Sequence, residues 1–144
     1  MTDTQATPAS ERQVTLVHGQ ERRLGTLRWG RVPDTRRYRV ALDGPDGHVE
    51  AEERDLFEAL NTIRRGLEPR GWFIAVQGSR GDAYPSGMLR DTIGARRVYA
   101  FKQGTEVEKG DMVDIFDDAD PTAVTTVDQQ RLNYRQWRQS LRRG

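Results

Sequence analysis

Apolar and polar residues alternate along the first third of the chain. Val14–Val17 and Leu24–Trp29 read as two strands around a His18-Gly19-Gln20 turn. Arg37–Leu42 sets Tyr38, Val40 and Leu42 against Arg37, Arg39 and Ala41. A period of two marks a strand with one buried face. Asp43-Gly44-Pro45-Asp46-Gly47 is turn chemistry, because glycine takes up unusual backbone angles and proline and aspartate stabilise tight bends. His48–Ala51 then returns as a short strand, so the chain is expected to open with a β-meander.

The period changes after Ala51. Leu56, Leu60, Ile63 and Leu67 recur at spacings of four, three and four, with Phe57 beside them. That spacing gathers them on one face of a helix. Glu52, Glu53 and Asp55 stand at the first turn, and Arg64, Arg65 and Arg70 at the C-terminal end, the order a helix dipole favours. Pro69 and Gly71 are stop signals. The pattern predicts a helix over Glu53–Glu68. Two continuous apolar runs follow, Gly71–Gln77 and Val98–Lys102. Gly71–Gln77 is predicted to be a central strand covered on both faces, and Val98–Lys102 a second such strand. Met112–Phe116 is a short apolar piece, a strand or one helical turn. Thr126-Val127-Asp128-Gln129 fits a capping box. The last helix is expected to run to about Leu141 with Val127, Tyr134, Trp137 and Leu141 on one face.

Residues 1–12 are rich in Thr, Ser, Pro and Ala without periodicity and read as a disordered tail. Residues 13–144 are expected to form a single α+β domain. Its two layers would be a mixed, mainly antiparallel sheet and two helices packed on one face. The expected core is Leu56, Leu60, Ile63, Trp72, Ile74, Val76, Tyr99, Phe101 and Trp137.

Composition narrows the function classes. Among 144 residues there is no cysteine, which removes disulfide scaffolds, cysteine metal sites and thiol nucleophiles. No apolar run reaches the roughly 18 residues of a membrane helix, and the first ten residues lack a signal-peptide core. A soluble, cytoplasmic protein without membrane contact is expected. The 23 basic and 22 acidic residues leave a net charge of +1, against a dedicated nucleic-acid coat. Neutrality hides strong blocks: residues 105–128 carry −7 and residues 129–144 carry +5. Either these blocks lie against each other or each faces a partner. Arginine outnumbers lysine 21 to 2, a bias that codon usage explains more simply than phosphate recognition does.

The segment 78–96 is the least ordinary, because long connections without periodicity are usually functional or disordered. Tyr84, Met88 and Leu89 call for burial, so it is expected to be ordered and to face outward. Leu89–Ile93 is read as one turn of helix. The string DLFEAL, LEPRGW, AVQGSRGDAYPSGMLRD, RRVYAF, DMVDIF and ADP, spread over residues 36–140, resembles a family of small uncharacterised actinobacterial proteins carrying a DAYPSGM-type loop. The resemblance implies a small α+β domain and supplies no activity.

Candidate chemistry is sparse. Ser79, Arg80, Asp82, Tyr84, Ser86 and Arg90 can present hydroxyls, guanidinium forks and backbone N–H groups to a phosphate or carboxylate. The plainer and favoured reading is an ordered loop whose arginines pair with neighbouring aspartates. Neither a P-loop nor a dinucleotide fingerprint is present. Arg80-Gly81-Asp82 is a chance tripeptide. His18 and His48 lack ligand-spaced partners, Ser86 lacks the G-x-S-x-G frame, and Asp114, Asp117, Asp118 and Asp120 lack calcium-loop spacing. No catalytic residue, metal ligand or cofactor is therefore assigned. Arg131, Arg135, Arg138 and Arg142 recur as a basic stripe beside Tyr134 and Trp137.

The leading expectation is a non-enzymatic interaction protein of accessory or immunity type. It would bind a protein partner through the 78–96 loop and its charged surfaces. A binder or enzyme for a small anionic ligand using the 78–91 loop comes second. Nucleic-acid binding by the arginine stripe comes third.

Overall fold

The alternation around Val14–Val17 and Leu24–Trp29 folds as the two longest strands, β1 (Ser10–His18) and β2 (Glu21–Arg31). Gly19 turns between them at φ 61°, a left-handed angle glycine adopts without a side-chain clash. The computed structural model describes residues 10–142. β3 (Tyr38–Gly44) and β4 (Gly47–Glu53) complete the meander. With β5 (Phe73–Ile74) they form an antiparallel five-stranded sheet of order β4-β3-β2-β1-β5. The alternation puts Val14, Leu16, Leu27, Trp29, Val40, Leu42 and Ala51 on the buried face. Ion pairs tie the open face from β1 to β4: Glu11–Arg28, Arg28–Asp43, Arg39–Glu52 and Arg37–Glu52.

Helix α1 (Leu56–Leu67) lies on the buried face and inserts Leu56, Phe57, Leu60, Ile63 and Leu67. It starts later than predicted. Glu52 and Glu53 stay in β4, where Arg39 and Tyr38 lie opposite them, and Asp55 caps the helix by accepting the Glu58 N–H at 2.8 Å.

Gly71–Gln77 is not a central strand. Only Phe73–Ile74 pairs, and it does so at the sheet edge against Leu16 and Val17 of β1. The Ala75 N–H still donates to Thr15 O of β1, and the chain then leaves the sheet and bonds to the returning segment. The Gln77 N–H donates to Asp117 O, and the Gly78 N–H donates to Ile115 O. Ile74, Ala75 and Val76 are all buried, so the apolar run reflects burial on both sides without regular strand geometry. Val98–Lys102 does not join this sheet. β6 (Ala83–Tyr84), β7 (Arg97–Ala100) and β8 (Met112–Asp114) form a separate antiparallel sheet of order β6-β7-β8.

Helix α2 (Gly87–Ile93) lies within segment 78–96, and α3 (Val127–Arg142) ends the described chain. The helices divide between the sheets: α1 packs on β3, β4 and β5, while α3 packs on β6. Ala83, Val98, Ile115 and Phe116 belong to the same buried cluster as the meander, so both sheets share one core. The chain is thus a small single α+β domain. Among the residues assigned to the tail, Ser10, Glu11 and Arg12 are strand, opposite Trp29, Arg28 and Leu27. Arg12 also meets Asp117 at 3.2 Å. The rest of that tail, residues 1–9, lies outside the described residues. Of the expected core, Tyr99 alone is only half-buried. No described helix is long and apolar enough to cross a membrane.

Candidate functional site

Two buried polar side chains organise the segment joining β5 to β6. Arg64 of α1 is 1% exposed. Its Nη1 donates to Asn61 Oδ1 at 2.8 Å and to Gln130 Oε1 at 2.7 Å. Its Nη2 donates to Thr125 O at 2.7 Å, and its Nε lies 3.3 Å from Glu68. Gln130 of α3 is fully buried, and its Nε2 faces the carbonyls of Gly78, Arg80 and Ala83 at 2.8, 2.8 and 3.0 Å. Burial lowers the Arg64 pKa to about 10 against the attraction of Glu68, so the guanidinium stays charged at neutral pH. Burial raises the Glu68 pKa, and Arg64 opposes that rise. Gly78 makes the close approach possible, since a Cβ there would stand 2.9 Å from Leu60 Cδ2 and 3.0 Å from Ile115 Cβ.

This framework disperses the six loop residues instead of gathering them. Ser79 is fully buried, and its Oγ has no hydrogen-bond partner. Arg80 grips Asp82 with two bonds of 2.8 and 2.7 Å and gives a third, 2.7 Å, to Gln77 Oε1. Ser86 caps α2 by accepting the Leu89 N–H. Arg90 turns inward to Asp55 at 2.8 Å and Glu58 at 3.0 Å. Burial alone would lower the Arg90 pKa, but the two carboxylates outweigh it and hold it above the ordinary arginine value. Tyr84 stacks on Tyr134 with ring centres 4.1 Å apart. Both forks are thus occupied by carboxylates, and the hydroxyls and guanidinium groups do not converge on one anion position. Met88, expected to seek burial, is 73% exposed on α2.

The acidic block does not lie along the basic helix through ion pairs. Asp117 and Asp118 face Arg12, Asp114 faces Arg96, and Asp120 caps the Thr122 N–H. Helix α3 is held by other means. Gln130 and the ring stack bind it, Asn133 donates to Gly81 O, and the Trp137 indole N–H donates to Thr105 O. Arg131, Arg135, Arg138 and Arg142 make no ion pair with a described residue, and the Arg138 guanidinium lies 6.0 Å over the Tyr134 ring. The stripe predicted from sequence is therefore assembled on one side of α3 with no ion-pair partner among the described residues.

His18 packs on Trp72, and His48 sits between Asp43 and Glu50. Among the described residues no cluster of His, Asp and Glu is arranged to hold a metal ion. No protein-family model matches the sequence, and no curated protein is significantly similar to it.

Sequence reasoning missed Arg64 and Gln130. The signal was present, because each is a polar residue at an apolar-face position. Arg64 continues the Leu56, Leu60 spacing, and Gln130 falls between Val127 and Tyr134. A polar side chain on a core stripe must find partners inside.

Proposed function

We propose that this chain is a non-enzymatic binding module whose contact surface is the exposed side of α3. The observation that carries this reading is the absence of described acidic partners for Arg131, Arg135, Arg138 and Arg142, while the nearby loop arginines are neutralised. Four cations along one helix side form a positive ridge that attracts an anionic partner despite the near-zero net charge. Retention on an immobilised polyanion such as heparin tests it. The native chain is retained at low salt, and a variant with Arg135→Glu and Arg142→Glu elutes early. Equal retention of the two sinks the reading.

A second reading places a protein partner on the 78–96 segment. It is favoured by Met88, 73% exposed, and Ile93, 40% exposed, both on the short helix α2. Apolar exposure of this kind is common at protein interfaces. Met88→Asp removes partner capture under this reading and leaves polyanion retention unchanged.

A further inference from the structure

We infer that the partner of the α3 surface is double-stranded DNA, contacted through its phosphates with the helix lying along a groove. The inference rests on the contact-surface reading above. At about 100° per residue, Arg131, Arg135, Arg138 and Arg142 fall within one quarter-turn of the helix surface. The rest of the exposed surface is Asp128 and Gln129 in the first turn and then Leu132, Gln136 and Gln139, and no acidic residue follows Asp128. The stripe spans about 16 Å along the axis. That length suits several successive phosphates, and an α-helix fits the major groove. Arg and Gln are also the side chains that bond base edges there.

Two observations select this partner over the alternatives. An acidic protein partner would need a desolvated apolar or aromatic anchor at the centre of the contact. The only large apolar side chain exposed on α3 is Leu132, at 46%. Protein–DNA surfaces are polar and strongly positive, as this one is. A single strand would need free aromatic faces for its bases. Here Tyr134 is stacked on Tyr84 at 4.1 Å and packs beside Trp137 at 5.8 Å, with Arg138 over its ring. The ring faces are taken.

Fluorescence anisotropy of the full chain with a short random-sequence duplex tests the inference. Arms with the matching single strand and with polyglutamate as competitor run beside it. With four phosphates neutralised, affinity falls about a hundredfold between about 50 and 200 mM salt. Arg135→Ala reduces the slope of log affinity against log salt by about one. Its side chain is exposed and has no ion-pair partner among the described residues, so circular dichroism should show an unchanged fold. Tighter binding to the single strand than to the duplex overturns the inference. So does polyglutamate binding through the same arginines without duplex binding, which leaves the binding-module reading intact. If no polyanion depends on the α3 arginines, both fail.

Discussion

Arg90 Nη1 stands 2.8 Å from Asp55 Oδ2, so a loop arginine lies against the capping carboxylate of α1. Asp55 is 1% exposed and also accepts the Glu58 N–H. The Arg90 guanidinium lies over the Phe57 and Tyr84 rings at 5.5 and 5.7 Å. Removing it strands a buried charge. Arg90→Ala is expected to cost about 2–3 kcal/mol in urea unfolding. Arg80→Ala, at a more exposed pair, should cost less than about 1 kcal/mol. Equal costs would show that the two arginines are not differently embedded.

Arg64 carries more of the fold. Arg64→Leu leaves Asn61, Gln130 and the Thr125 carbonyl without the guanidinium donor and Glu68 without its ion-pair partner. Breaking a buried charged pair by removing one member typically costs about 3–5 kcal/mol, and that loss is expected in chemical denaturation. A loss under about 1 kcal/mol would mean that the network contributes no stability.

Gly78 and Gly66 make an internal contrast. Gly78→Ala forces a Cβ into Leu60 and Ile115 and should destabilise by about 1–3 kcal/mol. A Cβ on Gly66, exposed within α1, meets nothing within 4 Å. Gly66→Ala should therefore stabilise by about 0.5–1 kcal/mol, because alanine is the better helix former. Thermal melts of the two variants should move in opposite directions.

The open sheet face makes stability depend on pH. Donation by the His48 ring to Asp43, then to Glu50, raises the His48 pKa above 6.5. Its contribution is complete below that ordinary value and is lost as pH rises through the raised folded value. His48 and then Arg28 lower the Asp43 pKa below 3.8, and Arg39 and then Arg37 lower that of Glu52 below 4.5. Those contributions are complete above the ordinary values and are lost as pH falls through the folded ones. Melting temperature in low salt should decline on both sides. His48→Asn should flatten the neutral-to-alkaline limb, and about 1 M salt should shrink all of it, because exposed charges are screened.

Where burial followed a regular period, the sequence was legible. The alternation of β1 to β4 and the Leu56–Leu67 stripe translate directly into one buried sheet face and one helix face. Gly71–Gln77 misled because an apolar run reports burial on two sides, and a strand is only one way to achieve it. Here side-by-side bonding to residues 115–119 achieves it instead. Of the two loop arginines, Arg80 was legible locally, since its partner Asp82 is two residues on, but Arg90 was not. The carboxylates that neutralise Arg90 come from positions 55 and 58, over 30 residues away. The α3 stripe was legible because a helix writes its own surface. What the sequence did not reveal was that the acidic block would pair elsewhere.

The Gly78, Arg80 and Ala83 carbonyls all point at one amide, that of Gln130, and Thr125 O at one guanidinium, that of Arg64. Lifting α3 away would therefore take the Gln130 donor from three carbonyls of one bend of main chain. The bend and the helix should open together. Their slow-exchanging amides would then share one opening free energy, even though they lie almost fifty residues apart.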